Sequence, residues 1–547
     1  MNLLTTIKKY PQQSILMGIW VISIFLRFYH LGVLPFNFME DEVLSGYMGR
    51  FILQNGIDLY SNPWPIWFFD KFGDYYIIGP MYLAGASTYL FGITAFAVRF
   101  PTALLGSLII FPVYYIAKYM FGNKQVALLS ALFVAISPWH IILSRSTVEG
   151  VIGSTLFLCG IVLILSYLMN RTSRQLIIAL VLLFSTYFIY HPFRIYVPLV
   201  LIPLPLLFPQ VRKYKNVLMS IVIAFIFFAG FTFYISTTPW GSGRFMQTSI
   251  FSELSGVSIR TQEQIFNVGQ NDVLRARIFH NKVVGYGREF IRQYVTYFSP
   301  NFLFTSGGAE SRYNVPDQGL LYLMYLVLIV IAVSPLKAKE IKPNSSALWY
   351  YFYLLLLAPL PAAITYYGSP NIHRSVFLGI LLVIPAAYGM YKLWFVPYRN
   401  IIIGFVIITI LGEGIYFWHQ YSVQSDKFTS MRRNDAHVEL MYYIQDHHLE
   451  YDRIYVPAEG ATSLYYLFVT HNFDKSLAGQ FQKDAYIESI DNIFFIEASC
   501  PTEKIVEPPA KSLMVNRHNC PEKPDLNMVT TIKGKNELLG FTLYENK

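Results

Sequence analysis

The chain has 547 residues, of which 54% are hydrophobic, 17% aromatic and only 14% charged, and its mean hydropathy is +0.41. Soluble proteins carry about 25% charged residues, so this composition excludes an ordinary soluble protein and indicates an integral membrane protein. The net charge of +9 does not indicate a nucleic acid partner, because the basic residues form short clusters between apolar runs, as the positive-inside rule requires.

Apolar runs close to the length of a membrane span recur from Ser14 to Trp418. We interpret the first run as a retained span, because Arg27 interrupts its end and no small-residue cleavage site follows. The segment from Tyr75 to Gly92 is predicted to lie in the membrane interface, since counting it as a span would place most basic clusters outside. The sequence then predicts about eleven spans, at 14–32, 98–118, 124–140, 148–169, 175–190, 194–210, 216–237, 319–335, 346–366, 375–395 and 400–419.

This topology predicts a polytopic α-helical membrane protein with its amino terminus in the cytoplasm. Residues 1–420 would form the membrane domain, with a first outer loop at 33–97 and a long outer loop at 236–318. Residues 421–547 would form a small extracytoplasmic α/β domain. The predicted elements of this tail are a helix at His437–Leu449 and strands at Asp452–Ala458, Asn492–Ser499 and Leu538–Asn546.

The tail also contains two of the three cysteines, Cys500 and Cys520. If the tail lies outside the cytoplasm, a disulfide between them is plausible, but their spacing is equally compatible with two free thiols.

Three consecutive carboxylates, Glu40, Asp41 and Glu42, follow the first span within the stretch NFMEDEVLSGY. Adjacent carboxylates near a membrane repel one another, which favours an arrangement in which one accepts a proton and serves as a general base. The alternative is structural: acids in the first turn would also stabilise a helix running from Val43 to Gln54.

Basic residues on the predicted outer face form a second group. Arg145 and Glu149 lie four residues apart, so an ion pair between them is one interpretation. Arg194, His373 and Arg374 lie at the start of inward-going spans, where long polar side chains commonly extend toward the membrane–water interface. Taken together, the three arginines and the histidine predict a site that binds an anionic group, because guanidinium groups match the geometry of phosphate oxygens. The aromatic stretch from Lys282 to Phe304 is predicted to be either a lid on the membrane surface or a packing loop.

The order of these motifs resembles the C-type membrane glycosyltransferases, specifically the family 39 group of protein O-mannosyltransferases and the related aminoarabinose transferases of lipid A. The matching features are the pair Asp41-Glu42 after the first span, an interfacial helix that ends in Leu90-Phe-Gly92, AVRFPTALLGSLIIFPVYYIAKYMFG (Ala97 to Gly122) and SRSTVEG (Ser144 to Gly150). The resemblance covers about residues 14–420.

The resemblance implies transfer of a sugar from a polyprenyl-phosphate donor to a lipid, glycan or protein hydroxyl, with inversion, on the outer face of the cell membrane. It implies that Asp41 is the base, that Glu42 orients the acceptor or substrate and that Arg145 lies near the lipid phosphate. Further phosphate candidates are Arg374, His373, Arg194 and Lys71, and further acid candidates are Glu40, Asp74 and Glu149. No cofactor is expected; a divalent ion could bridge Asp41, Glu42 and the phosphate, but the resemblance implies none, because members of the family do not generally need one.

Three other function classes are alternatives. A transporter or flippase of lipid-linked substrates would also have many spans, but it would place ionisable groups near the bilayer midplane and show repeated halves. A lipid-linked glycan ligase would share the donor and transfer a whole chain. A non-catalytic scaffold would leave the clustered outer charges without a purpose.

Overall fold

The structure, a computed structural model, describes residues 11–36, 38–71, 74–308, 312–336, 341, 343–429, 434–458, 461–481, 487–534 and 537–546. Five lysines of the basic clusters that lie between the apolar runs fall outside these ranges: Lys8, Lys9, Lys337, Lys339 and Lys342. The α-helices up to the long outer loop are Pro11–Phe28, Glu40–Asn55, Gly79–Phe91, Ala95–Leu108, Ile110–Phe121, Lys124–Ala135, Pro138–Ser144, Glu149–Asn170, Ser173–Ser185, Phe193–Leu201, Leu204–Leu207, Pro209–Lys213 and Lys215–Ser236.

A second group of α-helices begins in the long outer loop and extends into the tail. They are Pro239–Thr248, Val257–Gly269, Val273–Phe279, Lys282–Thr296, Leu323–Val333, Ser345–Leu357, Leu360–Ala363, Val376–Lys392, Arg399–His419, Ser425–Thr429, Asp435–His447, Thr462–Val469 and Pro501–Lys504.

Six helical segments among the described residues are long and apolar enough to cross a membrane, and a seventh is obtained if one pair bent by 55° is counted as a single span. The six are Ala95–Phe121, Glu149–Asn170, Lys215–Ser236, Ser345–Ala363, Val376–Phe395 and Arg399–Gln424, and the bent pair is Lys124–Ala135 with Pro138–Ser144. The chain is therefore a multi-pass membrane protein, but the predicted count of eleven spans is not confirmed. Proline explains part of the difference, because Pro203 separates the short helices Phe193–Leu201 and Leu204–Leu207 within the predicted span 194–210.

The described residues form eight β-strands. The strands are β1 (Phe69–Lys71) and β2 (Asp74–Tyr76) in a separate hairpin, then β3 (Arg453–Pro457), β4 (Ser489–Ile490), β5 (Ile493–Ile496), β6 (Ser512–Arg517), β7 (Asn527–Lys533) and β8 (Leu539–Asn546). The last six form a mixed sheet of order β4-β5-β3-β6-β8-β7 in the carboxy-terminal region. In this sheet β3 pairs in parallel with β5 and β6, whereas the β4–β5, β6–β8 and β7–β8 pairs are antiparallel. The three predicted tail strands are present, and three further strands complete the sheet.

The chain divides into two compact units. The first comprises Met1–Arg27, Thr102–Ser144 and Val148–Trp418, and the second comprises Phe28–Pro101, Arg145–Thr147 and His419–Lys547. In the second unit the tail shares one hydrophobic core with the segment that follows the first helix. This core includes Val43, Tyr47 and Phe51 from that segment, together with Ile454, Leu464, Leu467, Leu513 and Leu543 from the tail.

Within the second unit, the helix Glu40–Asn55, which we call the acidic helix, packs closely against the helix Gly79–Phe91. The two backbones meet at Gly49 and Gly85, where a Cβ atom on either residue would overlap the backbone of the other helix. Glycine at both positions therefore permits the close approach that fixes the acidic helix.

The second unit also contains the two cysteines of the tail. Cys500 and Cys520 form a disulfide, with their Cα atoms 5.5 Å apart, a separation typical of such bonds. Cys159, in the first unit, is a free thiol.

Candidate active site

The acidic helix begins at Glu40, three residues before the predicted Val43, so the three carboxylates occupy its first turn. Its amino terminus lacks intrahelical acceptors for the first N–H groups, and the carboxylate of Glu42 supplies one by accepting a hydrogen bond from the N–H of Met39 at 3.0 Å. Acidic side chains at this end also interact favourably with the helix dipole. The three acids thus lie in the first turn of a helix, as the structural interpretation predicts.

Glu42 is also paired with a residue that the sequence reasoning did not assign. Arg99 donates from Nε to Oε1 of Glu42 at 2.8 Å and from Nη2 to Oε2 at 3.0 Å. The two side chains are only 0% and 1% exposed. A bidentate ion pair of this kind fixes both groups and offsets the cost of burying their charges.

Asp41 differs from Glu42, since Asp41 is a partly exposed residue and Glu42 is a buried one. Its Oδ1 atom accepts a hydrogen bond from the hydroxyl of Tyr76 at 3.1 Å. Glu40 is also partly exposed. The three acids therefore separate into one that is buried in an ion pair and two that lie at the surface of the second unit.

Three side chains hold the carbonyl groups of the loop that precedes the acidic helix. Arg99 donates to the carbonyl oxygens of Leu31 and Pro35, at 3.1 and 2.9 Å. Arg145, which is fully buried, donates to those of Tyr29 and Leu34, at 2.6 and 3.1 Å. Tyr465 donates its hydroxyl hydrogen to the carbonyl oxygen of Phe38 at 2.9 Å. Together these contacts fix the position at which the acidic helix starts.

Arg145 has a further partner in the tail, because its Nε atom donates to the hydroxyl of Tyr421 at 3.3 Å. A guanidinium group buried in this way points its donors into the loop. Direct contact with a lipid phosphate, which the family resemblance implies for Arg145, would require these contacts to rearrange.

Tyr465 belongs to the tail and lies close enough to the three carboxylates for their charges to affect it. Burial raises the pKa of its hydroxyl, and the negative charges of Glu40, Glu42 and Asp41 add to this effect. The hydroxyl consequently stays protonated and remains a hydrogen-bond donor.

A second group of predicted site residues lies in the first unit. Nε2 of His373 lies 3.2 Å from Oε2 of Glu149, and the two side chains are about one quarter exposed. The ring of His373 stacks on that of Tyr190, with centroids 5.3 Å apart. The amide oxygen of Asn371 accepts from the backbone N–H groups of His373 and Arg374, which orients this turn.

The guanidinium groups of Arg374 and Arg194 have local partners. Arg374 donates to the carbonyl oxygen of Tyr367 at 2.6 Å. Nη1 of Arg194 lies 3.1 Å from Nδ1 of His191, and its guanidinium carbon lies 5.4 Å from the centroid of the Trp240 ring.

The remaining candidates, Lys71 and Asp74, face each other across the β1–β2 hairpin in backbone register. Their side chains lie outside the described part of the structure.

The structure therefore brings Glu40, Asp41, Glu42 and Arg145 together in one unit, and Glu149, His373 and Arg374 in the other. The sequence reasoning missed Arg99, Tyr76, Tyr421 and Tyr465. Arg99 gave a usable signal, because a lone arginine in an apolar helix needs a buried anionic partner. The three tyrosines gave no such signal, because the chain contains 41 tyrosines and nothing in the sequence distinguishes these three.

Within the described residues, no three His, Cys, Asp or Glu side chains are grouped closely enough to hold a metal ion.

Comparison with known proteins gives one family match, which covers part of the chain. Residues 78–234 match the model of the dolichyl-phosphate-mannose-protein mannosyltransferase family. No curated protein sequence matches the chain.

Several solved structures resemble the chain at low sequence identity, among them the following two. One is the archaeal oligosaccharyltransferase AglB from Archaeoglobus fulgidus, in complex with an inhibitory peptide and a dolichol-phosphate: it has a TM-score of 0.48 and 14% identity, over 94% of this chain and 70% of its own. The other is ArnT from Cupriavidus metallidurans bound to undecaprenyl phosphate: it has a TM-score of 0.43 and 12% identity, over 98% of this chain and 97% of its own. The resemblance of the chain to the mannosyltransferase-like C-type membrane glycosyltransferases is confirmed by the family match over residues 78–234.

Proposed function

We propose that the protein transfers a sugar from a polyprenyl-phosphate donor to an acceptor hydroxyl at the outer face of the cell membrane, with inversion and with Asp41 as the general base. The family match supports a polyprenyl-phosphate-linked donor, since the family is described by dolichyl-phosphate-mannose. The matched residues do not include Asp41, so its role rests on the geometry of the second unit.

The observation that carries the proposal is the different environment of two adjacent carboxylates. Glu42 is buried and holds Arg99 with both oxygens, whereas Asp41 is partly exposed at the start of the same helix. A general base must reach the acceptor hydroxyl, and among these two only Asp41 has access to solvent. Glu42 then acts as a positioning residue, which differs from the acceptor-orienting role that the resemblance implies.

Arg99, Arg145 and Tyr465 support this assignment by fixing the loop before Asp41. A base that is displaced by about 1 Å loses much of its catalytic effect, so a rigid surround is functionally useful. We therefore assign Arg145 a positioning role in place of phosphate binding.

His373 and Arg374 are the proposed contacts of the leaving phosphate. Both lie on the turn that Asn371 orients, and the Glu149–His373 pair is partly exposed. A polyprenyl phosphate is a good leaving group, so the site needs cationic hydrogen-bond donors more than a strong acid.

The disulfide Cys500–Cys520 supports an extracytoplasmic tail, because such bonds persist in oxidising compartments. Since the tail and the acidic helix share one core, the proposed base would lie on the same side of the membrane.

The experiment compares a deletion strain complemented with the wild-type protein, Asp41→Asn or Glu40→Gln. Mass spectrometry of surface glycoproteins and glycolipids identifies the acceptor class. Transfer by membranes from each strain is then assayed with and without a chelator of divalent cations. We expect Asp41→Asn to reduce transfer by about 10² to 10⁴-fold and Glu40→Gln to retain most of it, with no effect of the chelator.

Immunoblots and thermal unfolding of purified protein control for insertion and folding. Full restoration by Asp41→Asn would contradict its role as base. An unchanged glycan profile in the deletion strain would argue for transport or a scaffold role.

A further inference from the structure

Three helices of the long outer loop, Val257–Gly269, Val273–Phe279 and Lys282–Thr296, have a burial pattern opposite to that of a water-soluble protein. We call residues 257–296 the outer helical segment. The buried residues of these helices are Val257, Thr261, Ala276, Glu289 and Gln293, and three of these five are polar. The exposed large apolar residues are Ile259, Ile265, Phe266, Val273, Leu274, Ile278, Phe279, Val283, Val284, Ile291 and Val295.

The inner face of the segment is held by polar contacts. Glu289 accepts hydrogen bonds from Arg292 at 2.5 and 3.1 Å, from Gln293 at 3.0 Å and from Arg260 at 3.4 Å. The last of these contacts joins the first helix of the segment to the third. Glu289 is thus paired although its side chain is only 9% exposed, whereas Arg260 and Arg292 remain 58% and 64% exposed at the surface.

Such an outer surface requires a partner other than water. Burying one large apolar side chain contributes about 1.5–3 kcal/mol. Eleven large apolar side chains are exposed on the three helices, and soluble monomers rarely expose large apolar patches. The helices are too short to span a bilayer, and their charged residues exclude a transmembrane position.

The segment also contains a cavity of about 530 Å³ between its first two helices. Its lining includes Ile265, Phe266 and Val273 on the apolar side, and Arg277 and His280 on the polar side. This volume lies within the range of about 300–1,000 Å³ that is typical of small-ligand sites. An acyl chain fits the apolar lining, and an anionic headgroup fits Arg277.

Charge and chain position indicate which partner covers the surface. Residues 257–296 contain six arginine and lysine residues and three acidic residues, so the segment is basic. It follows the candidate span Lys215–Ser236 and precedes the candidate span Ser345–Ala363. The segment is therefore tethered to the membrane at both ends.

We infer that the outer helical segment docks into the headgroup region of a bilayer containing anionic phospholipid, with Phe266, Leu274 and Phe279 among the acyl chains and one lipid in the cavity near Arg277. Interfacial helices bind membranes through this combination of apolar area and basic charge, and each basic residue near an anionic surface strengthens the binding. This inference does not depend on the proposed transferase activity.

The test uses the full-length protein in nanodiscs. In a Cys159→Ala background with the disulfide intact, single cysteines replace Phe266, Leu274 or, as an apolar control in the tail, Leu449, which is 88% exposed. Each cysteine carries an environment-sensitive fluorophore, which is quenched by brominated lipid or by aqueous iodide. We expect the ratio of lipid quenching to iodide quenching at Phe266 and Leu274 to exceed that at Leu449 by about tenfold.

A second arm tests the charge contribution. The double variant Arg277→Gln/Arg288→Gln, with the fluorophore at Leu274, is compared with its parent in nanodiscs of phosphatidylcholine alone and with added phosphatidylglycerol. We expect phosphatidylglycerol to increase lipid quenching in the parent and to have little effect in the double variant.

Two results would overturn the inference. The first is iodide quenching at Phe266 and Leu274 equal to that at Leu449. The second is shielding from both quenchers, independent of lipid composition, which would indicate that a protein covers the surface. Thermal unfolding of each labelled variant establishes that it is folded, and none of the substituted residues belongs to the proposed active site.

Discussion

Glu42 and Arg99 lie 57 positions apart in the sequence and form a bidentate ion pair that is almost completely buried. Through this pair the start of the acidic helix is tied to the helix Ala95–Leu108, and Arg99 reaches from there to two carbonyl groups of the preceding loop. The ion pair thus determines where the neighbouring Asp41 is presented.

Removing one partner of this pair should strongly destabilise the second unit. Arg99→Met leaves the Glu42 carboxylate buried without its cation, which costs about 3–5 kcal/mol. The double variant Arg99→Met/Glu42→Leu removes both charges, and we expect it to regain most of the lost stability. Thermal unfolding of the detergent-purified protein, analysed as a double-mutant cycle, measures the coupling.

If the double variant were as unstable as Arg99→Met alone, the contacts of Arg99 with Leu31 and Pro35 would matter more than the ion pair. The double variant also separates stability from catalysis: we expect it to fold and to transfer sugar slowly, because Asp41 has lost its support.

Tyr465 should be a positioning residue for Asp41. Tyr465→Phe leaves the buried carbonyl oxygen of Phe38 without its donor, at a cost of about 1–3 kcal/mol. We expect transfer to fall through kcat with little change in KM. Tyr466→Phe, at the next position of the same helix, is the matched control and should retain activity; equal losses in both variants would contradict the assignment.

Glu413, within the candidate span Arg399–Gln424, caps another helix. Its carboxylate accepts hydrogen bonds from the N–H groups of Leu323 and Met324, at 3.0 and 3.3 Å, where the helix Leu323–Val333 begins. Glu413→Leu should therefore reduce stability by about 1–3 kcal/mol. Glu413→Gln keeps an acceptor oxygen and should cost less. Equal unfolding temperatures for the leucine variant and the wild type would exclude the capping role.

His437 should make the second unit sensitive to acid. Burial, followed by the positive charge of Arg517, lowers its pKa from 6.5 to about 3. Between these values the unfolded chain binds a proton that the folded chain does not bind, so the free energy of unfolding falls as the pH decreases. The slope approaches about 1.4 kcal/mol per pH unit well below pH 6.5.

The variant His437→Phe lacks this titration. We expect its unfolding temperature, measured from pH 7.5 to pH 4.5, to decrease less steeply than that of the wild type, whatever its absolute stability. Parallel curves for the two proteins would show that His437 does not contribute to the acid sensitivity.

The sequence by itself determined the properties that depend on composition and local periodicity. The low charge and the apolar runs identified a multi-pass membrane protein, because only such segments are stable in hydrocarbon. The acidic first turn, the tail helix and three of its strands were also predictable, since capping and alternation act over a few neighbouring residues. The predicted number of spans was less successful. Prolines and short helices interrupt apolar segments, so the length of an apolar run in the sequence does not by itself give the number of membrane crossings.

Only the tertiary structure decided which groups meet. Nothing local distinguishes Glu42, which pairs with Arg99, from Asp41, which stays partly exposed, and nothing local brings Tyr465 to the carbonyl of Phe38. The sequence also left the disulfide undecided until the fold placed Cys500 and Cys520 5.5 Å apart. These contacts join residues that are remote in the chain, and they depend on how helices and strands pack into one core, which local residue patterns do not encode.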